Sequence, residues 1–140
     1  MTQDGRGQAP GGGAGVDASL ARHGGLSYLE LPAVDVHLSA AFYEAVLGWN
    51  VHRRDMDDLR FEDATGHLIG RWVTGRAISR EPGLLPYFYV DRIDDAVKRV
   101  VAHGGEVVRE PYPEGELWVA TVRDPTGNLI GLWQEGPRGG

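Results

Sequence analysis

The side chains that could hold or act on a small molecule are mostly aromatic, and one carboxylate accompanies them. Tyr28 and Glu30 are two positions apart in the first strand-like run, so both point to one face of that strand. Tyr87 and Tyr89 have the same spacing in a later run. Aromatic rings stack on planar compounds, and a carboxylate among them could bind a donor or transfer a proton. The chemistry depends on whether the fold brings these residues to one place.

A ten-residue pattern occurs twice and indicates how the fold could bring these residues to one place. Asp63–Trp72 reads DATGHLIGRW and Asp124–Trp133 reads DPTGNLIGLW, with seven of ten positions identical. The segments before these two copies also match, because Val34-Asp35 and Gly48 correspond to Val90-Asp91 and Gly104 at one constant offset. Repetition at a fixed spacing is the mark of an internal duplication. The chain is therefore predicted to contain two copies of one structural unit.

Each copy has the pattern of a βαβββ unit, and the two units occupy about residues 26–76 and 84–136. In the first unit, Asp35 is placed to cap a helix over 36–47 that ends at Gly48. In the second unit, a helix is predicted over 93–102, followed by a His-Gly-Gly terminator at 103–105. Strand-like runs surround both helices. The predicted fold is α+β, with the two modules forming a cupped mixed sheet around a cavity.

Alternation along the last strand of each unit predicts which residues line this cavity. Leu68, Gly70 and Trp72 share one face, and their counterparts in the second unit are expected on the equivalent face. Glycines beside indoles would leave room for a bound compound. The sequence does not fix the register of the strand that carries Trp118. The predicted ligand-binding residues are Tyr28, Glu30, Leu68, Gly70, Trp72, Leu85, Tyr87, Tyr89, Trp118, Leu129, Gly131 and Trp133.

Composition excludes several other functions. The formal net charge of −6, without clustered Lys and Arg, disfavours a nucleic-acid partner. No apolar run approaches the roughly 20 residues that span a bilayer, so no membrane partner is expected. Cysteine is absent, which excludes disulfides and thiolate ligands. Residues 1–25 are glycine-rich without apolar periodicity and are predicted to be a disordered tail before a folded domain at 26–136. A cytoplasmic location is expected.

Four segments together resemble the vicinal oxygen chelate superfamily, which includes glyoxalase I, bleomycin-resistance proteins and extradiol dioxygenases. They are AFYEAVLGW at 41–49, VDRIDDAV at 90–97, HGGEV at 103–107 and DPTGNLIGLW at 124–133. The likeness covers about residues 26–135. It implies paired βαβββ modules in a cupped sheet, and two chains that associate as a homodimer.

The same resemblance implies where a metal ligand would stand, and the residues there are unsuitable. Aligned with metal-bearing members, the four ligand places fall on Tyr28, Gly70, Leu85 and Gly131. Glycine and leucine side chains offer no donor atom, and a single phenol does not make a divalent metal site. No metal and no other cofactor is expected.

Three functions, from different classes, are compatible with these residues. The first is a metal-free protein that sequesters a small, largely aromatic compound, as the bleomycin-resistance branch does in antibiotic resistance. The alternative is a metal-independent enzyme, such as an isomerase or lyase, in which Glu30 is the catalytic general acid or base. A third reading is an interaction module that has lost an ancestral activity. The sequence does not decide whether a reaction is catalysed, because a fold resemblance does not assign chemistry.

Overall fold

The computed structural model describes residues 18–138 and contains two βαβββ modules in succession. The elements of the first module are β1 (Tyr28–Pro32), α1 (Val36–Leu47), β2 (Asn50–His52), β3 (Arg60–Glu62) and β4 (Ile69–Val73). Those of the second are β5 (Tyr87–Tyr89), α2 (Ile93–Ala102), β6 (Glu106–Glu114), β7 (Leu117–Arg123) and β8 (Leu129–Glu135). The predicted α+β fold of two modules is confirmed. Residues 18–25 form turns, and the remainder of the predicted tail lies outside the described residues.

Each module builds its own four-stranded mixed sheet. The strand order is β1-β4-β3-β2 in the first sheet and β5-β8-β7-β6 in the second. In both sheets the first strand pairs parallel to the last, and the other pairs are antiparallel. The helix lies between the first two strands in sequence and supplies the crossover that this topology requires. One edge of each sheet is formed by β1 or β5, the strand that opens its module.

Local sequence fixes the ends of α1. The Asp35 carboxylate accepts hydrogen bonds from the backbone N–H groups of His37 and Leu38, both at 3.1 Å, and so caps the first turn. Gly48 ends the helix with φ of 71°, a left-handed conformation that glycine adopts without strain. Both ends agree with the sequence pattern. The helix is thereby held with Phe42 and Tyr43 turned into the core.

A single hydrophobic core joins the helices to one face of each sheet. Its first half is aromatic, since Trp49 stacks on Tyr43 at 4.6 Å and on Phe61 at 4.3 Å between ring centroids. Trp72 lies 5.0 Å from Phe61 in the same cluster. Trp49 also meets Phe88 of the second module edge to face at 5.7 Å, so the core is continuous across the two modules.

A buried polar cluster also connects the modules. The Tyr43 hydroxyl donates to Asp124 Oδ2 at 2.8 Å, and the Asn128 amide donates to the Pro32 carbonyl oxygen at 2.8 Å. The Thr126 hydroxyl accepts from the backbone N–H of Val34 at 3.1 Å. Burial of the hydroxyl and the nearby Asp124 charge raise the pKa of Tyr43 well above its usual value, so this phenol stays a donor. The first module is thus attached to the last turn of the second.

Candidate functional site

The two copies of the repeated segment pair with their neighbouring strands in different registers. In the first module Glu62 on β3 is paired with Ile69 on β4. In the second module Arg123, the counterpart of Glu62, is paired with Leu129, the counterpart of Leu68. The last strand is therefore displaced by one residue between the modules. Because side chains alternate along a strand, this displacement turns matching residues to opposite faces.

The charge at one unmatched position explains the displacement. Leu132 is fully buried against the core of the second module, and the residue at the corresponding position of the first module is Arg71. In the register of the second module, Arg71 would point into that core, where an unpaired charge is strongly unfavourable. The observed register places Arg71 on the solvent side and buries Trp72 at 3 % exposure. Burial of the Trp72 indole and solvation of the Arg71 guanidinium therefore favour the same register of β4.

This register corrects the expected placement of several residues. Leu68, Gly70 and Trp72 do not share the face that Leu129, Gly131 and Trp133 occupy. In the first module they lie on the core side, so Trp72 belongs to the aromatic core. Trp118 also packs against the core, beneath the Arg138 guanidinium at 5.1 Å from its ring centroid. Leu85 precedes β5 and lies outside the sheet.

The face of the first sheet that points away from the core carries charged residues. We call it the first open face, and it includes Tyr28 and Glu30 of β1, Arg60 of β3 and Arg71 of β4. Arg71 is the neighbour of Glu30 on one side and of Arg60 on the other. Two predicted residues, Tyr28 and Glu30, thus lie together as expected. The arginines beside them were not predicted.

Glu30 is fixed between two guanidinium groups. Its Oε2 accepts from Arg71 Nε at 3.1 Å, and its Oε1 is 2.7 Å from an Nη atom of Arg76. The hydrogen bond from Arg76 has the largest effect and lowers the pKa of Glu30. Desolvation, the next largest effect, opposes it, and the hydrogen bond from Arg71 lowers the pKa further. Glu30 in turn raises the pKa of Arg71. The pair is ionised, and Glu30 holds both arginines in place.

The corresponding surface of the second sheet is aromatic, and we call it the second open face. It includes Tyr87 and Tyr89 of β5, Gly131 and Trp133 of β8, and Val119 of β7. The Tyr89 and Trp133 rings meet edge to face at 4.8 Å. The Tyr87 ring lies over Gly131, where a side chain would overlap it. Tyr87 and Tyr89 are about half exposed, at 48 % and 49 %, which leaves both rings accessible.

The second open face extends to β6, where Tyr112 is paired with Val119. The Arg109 guanidinium lies over the Tyr112 ring at 3.5 Å from its centroid. Within residues 18–138, no hydrogen bond, ion pair or ring contact joins the two open faces. The connections between the modules pass through the core and the polar cluster. A shared cavity between the faces stays a prediction.

The four positions that the superfamily uses for metal ligands do not fit a metal here. Tyr28 lies on the first open face, Gly131 on the second and Gly70 on the core side, while Leu85 has no donor atom. No group of three His, Cys, Asp or Glu side chains suited to a metal ion occurs among the described residues. The absence of a metal from this protein stays a prediction.

Arg60, Arg71 and Arg76 were not predicted from the sequence, and one signal in the repeat could have identified the position of Arg71. The repeats differ at three of ten positions, and the change from Leu132 to Arg71 replaces a core side chain by a charge. That difference alone indicates that the two final strands do not present the same face.

Comparison with known proteins agrees with this architecture. The model of the Glyoxalase/Bleomycin resistance protein/Dioxygenase superfamily matches residues 25–132. The chain belongs to this superfamily. The proteins called CFP32 of Mycobacterium bovis and Mycobacterium tuberculosis are each 26 % identical to it over 126 residues. The match covers 81 % of this chain and 46 % of either relative, so the chain spans about half the length of the curated relatives it matches.

Solved structures of the superfamily share the fold. A fosfomycin resistance protein from Listeria monocytogenes is 20 % identical with a TM-score of 0.66, over 81 % of this chain and 94 % of that chain. A glyoxalase/bleomycin resistance protein from Albidiferax ferrireducens is 23 % identical with a TM-score of 0.63, over 79 % and 98 %. At this identity the likeness establishes the fold and leaves the ligand open. Neither described helix is long and apolar enough to cross a membrane.

Proposed function

We propose that this chain is a metal-free small-molecule-binding protein that sequesters a largely aromatic compound on the second open face. The observation that carries the proposal is the accessible aromatic surface formed by Tyr87, Tyr89 and Trp133 beside Gly131. Exposed rings that already contact one another offer a planar compound both a face and an edge. The superfamily includes bleomycin-resistance proteins, which supports a role in resistance to a small toxic compound.

Binding of a neutral planar probe, 2-naphthol, tests this proposal through tryptophan fluorescence. Titration should change the emission saturably in the wild type. Trp133→Ala should weaken binding about 2- to 10-fold, because one aromatic contact is worth roughly 0.5 to 1.5 kcal/mol. Trp118→Phe is the matched control, since Trp118 lies on the core side of the same sheet and should leave the affinity unchanged. Equal effects of both substitutions would argue against the second open face as the site.

The proposal includes the absence of a stoichiometric metal. The superfamily positions supply one phenol and no second donor, which is too few for Zn²⁺, Ni²⁺, Fe²⁺ or Mn²⁺. Elemental analysis of protein purified without chelator should find well under one metal equivalent per chain. One equivalent that survives dialysis would contradict this assignment.

The geometry of Glu30 favours ion pairing over catalysis. A general acid or base works best with a pKa near the operating pH, whereas two guanidinium groups lower the pKa of Glu30. Glu30→Gln keeps the size of the side chain and removes the charge. If a reaction of a bound compound is found and this substitution abolishes it, the enzymatic alternative replaces sequestration.

We also propose that the protein is a cytoplasmic homodimer. Strands β1 and β5 are edge strands, and unpaired strand edges are surfaces on which a second chain can add. Light scattering should give twice the chain mass of 15.2 kDa. A monomer mass at all working concentrations would refute the dimer.

A further inference from the structure

We propose that the first open face is an oxyanion-binding site in which Arg60 and Arg71 contact the carboxylate or phosphate of a small molecule. This site lies on the other sheet from the proposed aromatic site, and the inference does not depend on that site. It rests on the placement of the arginines, the local excess of positive charge and an unpartnered guanidinium nitrogen.

Arg60 and Arg71 stand directly opposite each other on β3 and β4. Cβ atoms at such antiparallel positions are only about 4.5 to 5.5 Å apart, and like charges placed there are destabilising. The register that buries Trp72 turns Arg71 to this face, but it does not require an arginine at position 60. Two arginines in such an unfavourable arrangement are expected where an anion binds between their guanidinium groups.

The acidic residues nearby do not balance the arginines. Glu30 pairs with Arg71 and Arg76, and Asp58 pairs with Arg60 at 3.2 Å and with Arg53 at 3.7 Å. Four guanidinium groups thus share two carboxylates, an excess of two positive charges among these side chains. Glu62, on the same face of β3, lies 3.9 Å from His52 and reduces the local charge to +1, in a chain whose net charge is −6. A concentrated positive charge on an acidic protein attracts anions to this face.

Donors remain free in this cluster. The Arg60 Nε atom is buried and has no hydrogen-bond partner among the described residues. A buried donor without an acceptor is unfavourable. An anion oxygen satisfies this donor when the Arg60 side chain turns outward to meet it. The Nε atom of Arg71 donates a hydrogen bond to Glu30. The two terminal nitrogens of Arg71 make no hydrogen bond within residues 18–138. A guanidinium fork matches two oxygens of a carboxylate or phosphate, so this pair can hold a single oxyanion from two sides.

Calorimetric titration with inorganic phosphate and, separately, with acetate tests the inference at constant ionic strength, with chloride as the reference anion. Saturable binding of at least one of them to the wild type is expected. Arg60→Met and Arg71→Met should each weaken it at least about tenfold, because a hydrogen bond to a charged group is typically worth more than 1.4 kcal/mol. If phosphate binds more strongly than acetate, the site prefers the tetrahedral group of a phosphate. If acetate binds more strongly, the site prefers a carboxylate.

Arg54→Met is the matched control, because Arg54 belongs to the same module but pairs with Glu44 outside the cluster. It should leave the affinity unchanged. Glu30→Gln should strengthen binding, since it removes a competing negative charge. Arg60→Lys, which keeps the charge without the fork, should lose part of the affinity and still fold if Arg60→Met does not.

The inference is overturned if neither anion binds saturably, or if Arg54→Met weakens binding as much as Arg71→Met. Circular dichroism of each variant establishes that the comparison is between folded proteins. Trp133→Ala should not affect phosphate binding, so failure of the aromatic site and failure of this site are distinguishable.

Discussion

Two glycines at the same position of the repeat face different surroundings. A Cβ atom at Gly70 would overlap the backbone carbonyl of Leu29 and the buried ring of Phe61. At Gly131 the three atoms nearest to a Cβ atom all belong to the ring of Tyr87, which is half exposed and can turn away. One glycine is therefore required for packing of the core, whereas the other shapes an accessible aromatic surface.

We expect Gly70→Ala to lower the free energy of unfolding by about 1 to 3 kcal/mol, as overpacking typically does. Gly131→Ala should lower it by less than about 1 kcal/mol, yet weaken binding of 2-naphthol by displacing Tyr87. Urea denaturation of both variants and the fluorescence titration measure these effects. Equal destabilisation by the two substitutions would contradict the assignment of their faces.

The ion pairs of Glu30 make stability depend on pH. Hydrogen bonding by Arg76, with Arg71, lowers the pKa of Glu30 below its ordinary value of 4.5. The carboxylate therefore contributes stability above pH 4.5 and loses the contribution as the pH falls through the lower value of the folded state. Between about pH 6 and pH 3, the wild type should lose more stability than Glu30→Gln in urea denaturation. Parallel pH profiles would show that the ion pairs contribute nothing.

At the scale of elements, the register of the final strand decides which chemistry each module displays. The pattern LIG, one further residue and Trp occurs at 68–72 and again at 129–133, but a one-residue displacement buries Trp72 and leaves Trp133 on an open face. Two final strands that share seven of ten repeat positions thus belong to one charged face and one aromatic face. The register of β8 would be unfavourable for β4, because it would bury the charge of Arg71.

Removal of the Arg71 charge should weaken the preference of β4 for its observed register. In the double variant His67→Asn with Arg71→Leu, the repeat of the first module matches the second at nine of ten positions. We expect this variant to populate the register of β8, with residue 62 opposite residue 68 and Trp72 more exposed. Cross-strand nuclear Overhauser effects and quenching of tryptophan fluorescence by iodide report both changes. If the double variant keeps the wild-type contacts between β3 and β4, burial of Trp72 is sufficient to determine the register.

At the scale of the whole molecule, the turn between β7 and β8 connects both modules and their linker. Asn128 accepts from the backbone N–H of Ser79 and donates to Pro32 of the first module and to Asp124, at distances between 2.8 and 2.9 Å. Its counterpart in the repeat, His67, is exposed. Only one of the two matching turns therefore has a role in assembly of the modules.

Asn128→Ala should lower the free energy of unfolding by at least about 2 kcal/mol, because the Pro32 carbonyl oxygen, the Ser79 N–H and the Asp124 carboxylate lose a partner. His67→Ala, at the matching position, should change it by less than about 0.5 kcal/mol. Chemical denaturation of the two variants provides the comparison. A small effect of Asn128→Ala would show that the core contact between Trp49 and Phe88 holds the modules together without this cluster.

The sequence by itself determined the duplication, the order of helices and strands and the superfamily. These features are local or repeated, since the Asp35 cap, the Gly48 stop and the turns around Gly66 and Gly127 act within a few residues. The chemistry of the metal positions could also be read directly, because a glycine or leucine lacks a donor wherever the fold places it.

The tertiary structure decided which way the repeated side chains point. Alternation along a strand specifies which residues share a face, but the pairing with a neighbouring strand decides whether that face meets the core or solvent. That choice depended on the burial of Trp72 against Trp49 and Phe61 and on the solvation of Arg71. Arg60 and Arg71 likewise became neighbours through strand pairing, since the register between the consecutive strands β3 and β4 places them opposite each other. Contacts between distant residues, which a repeat does not encode, thus gave the two modules their different faces.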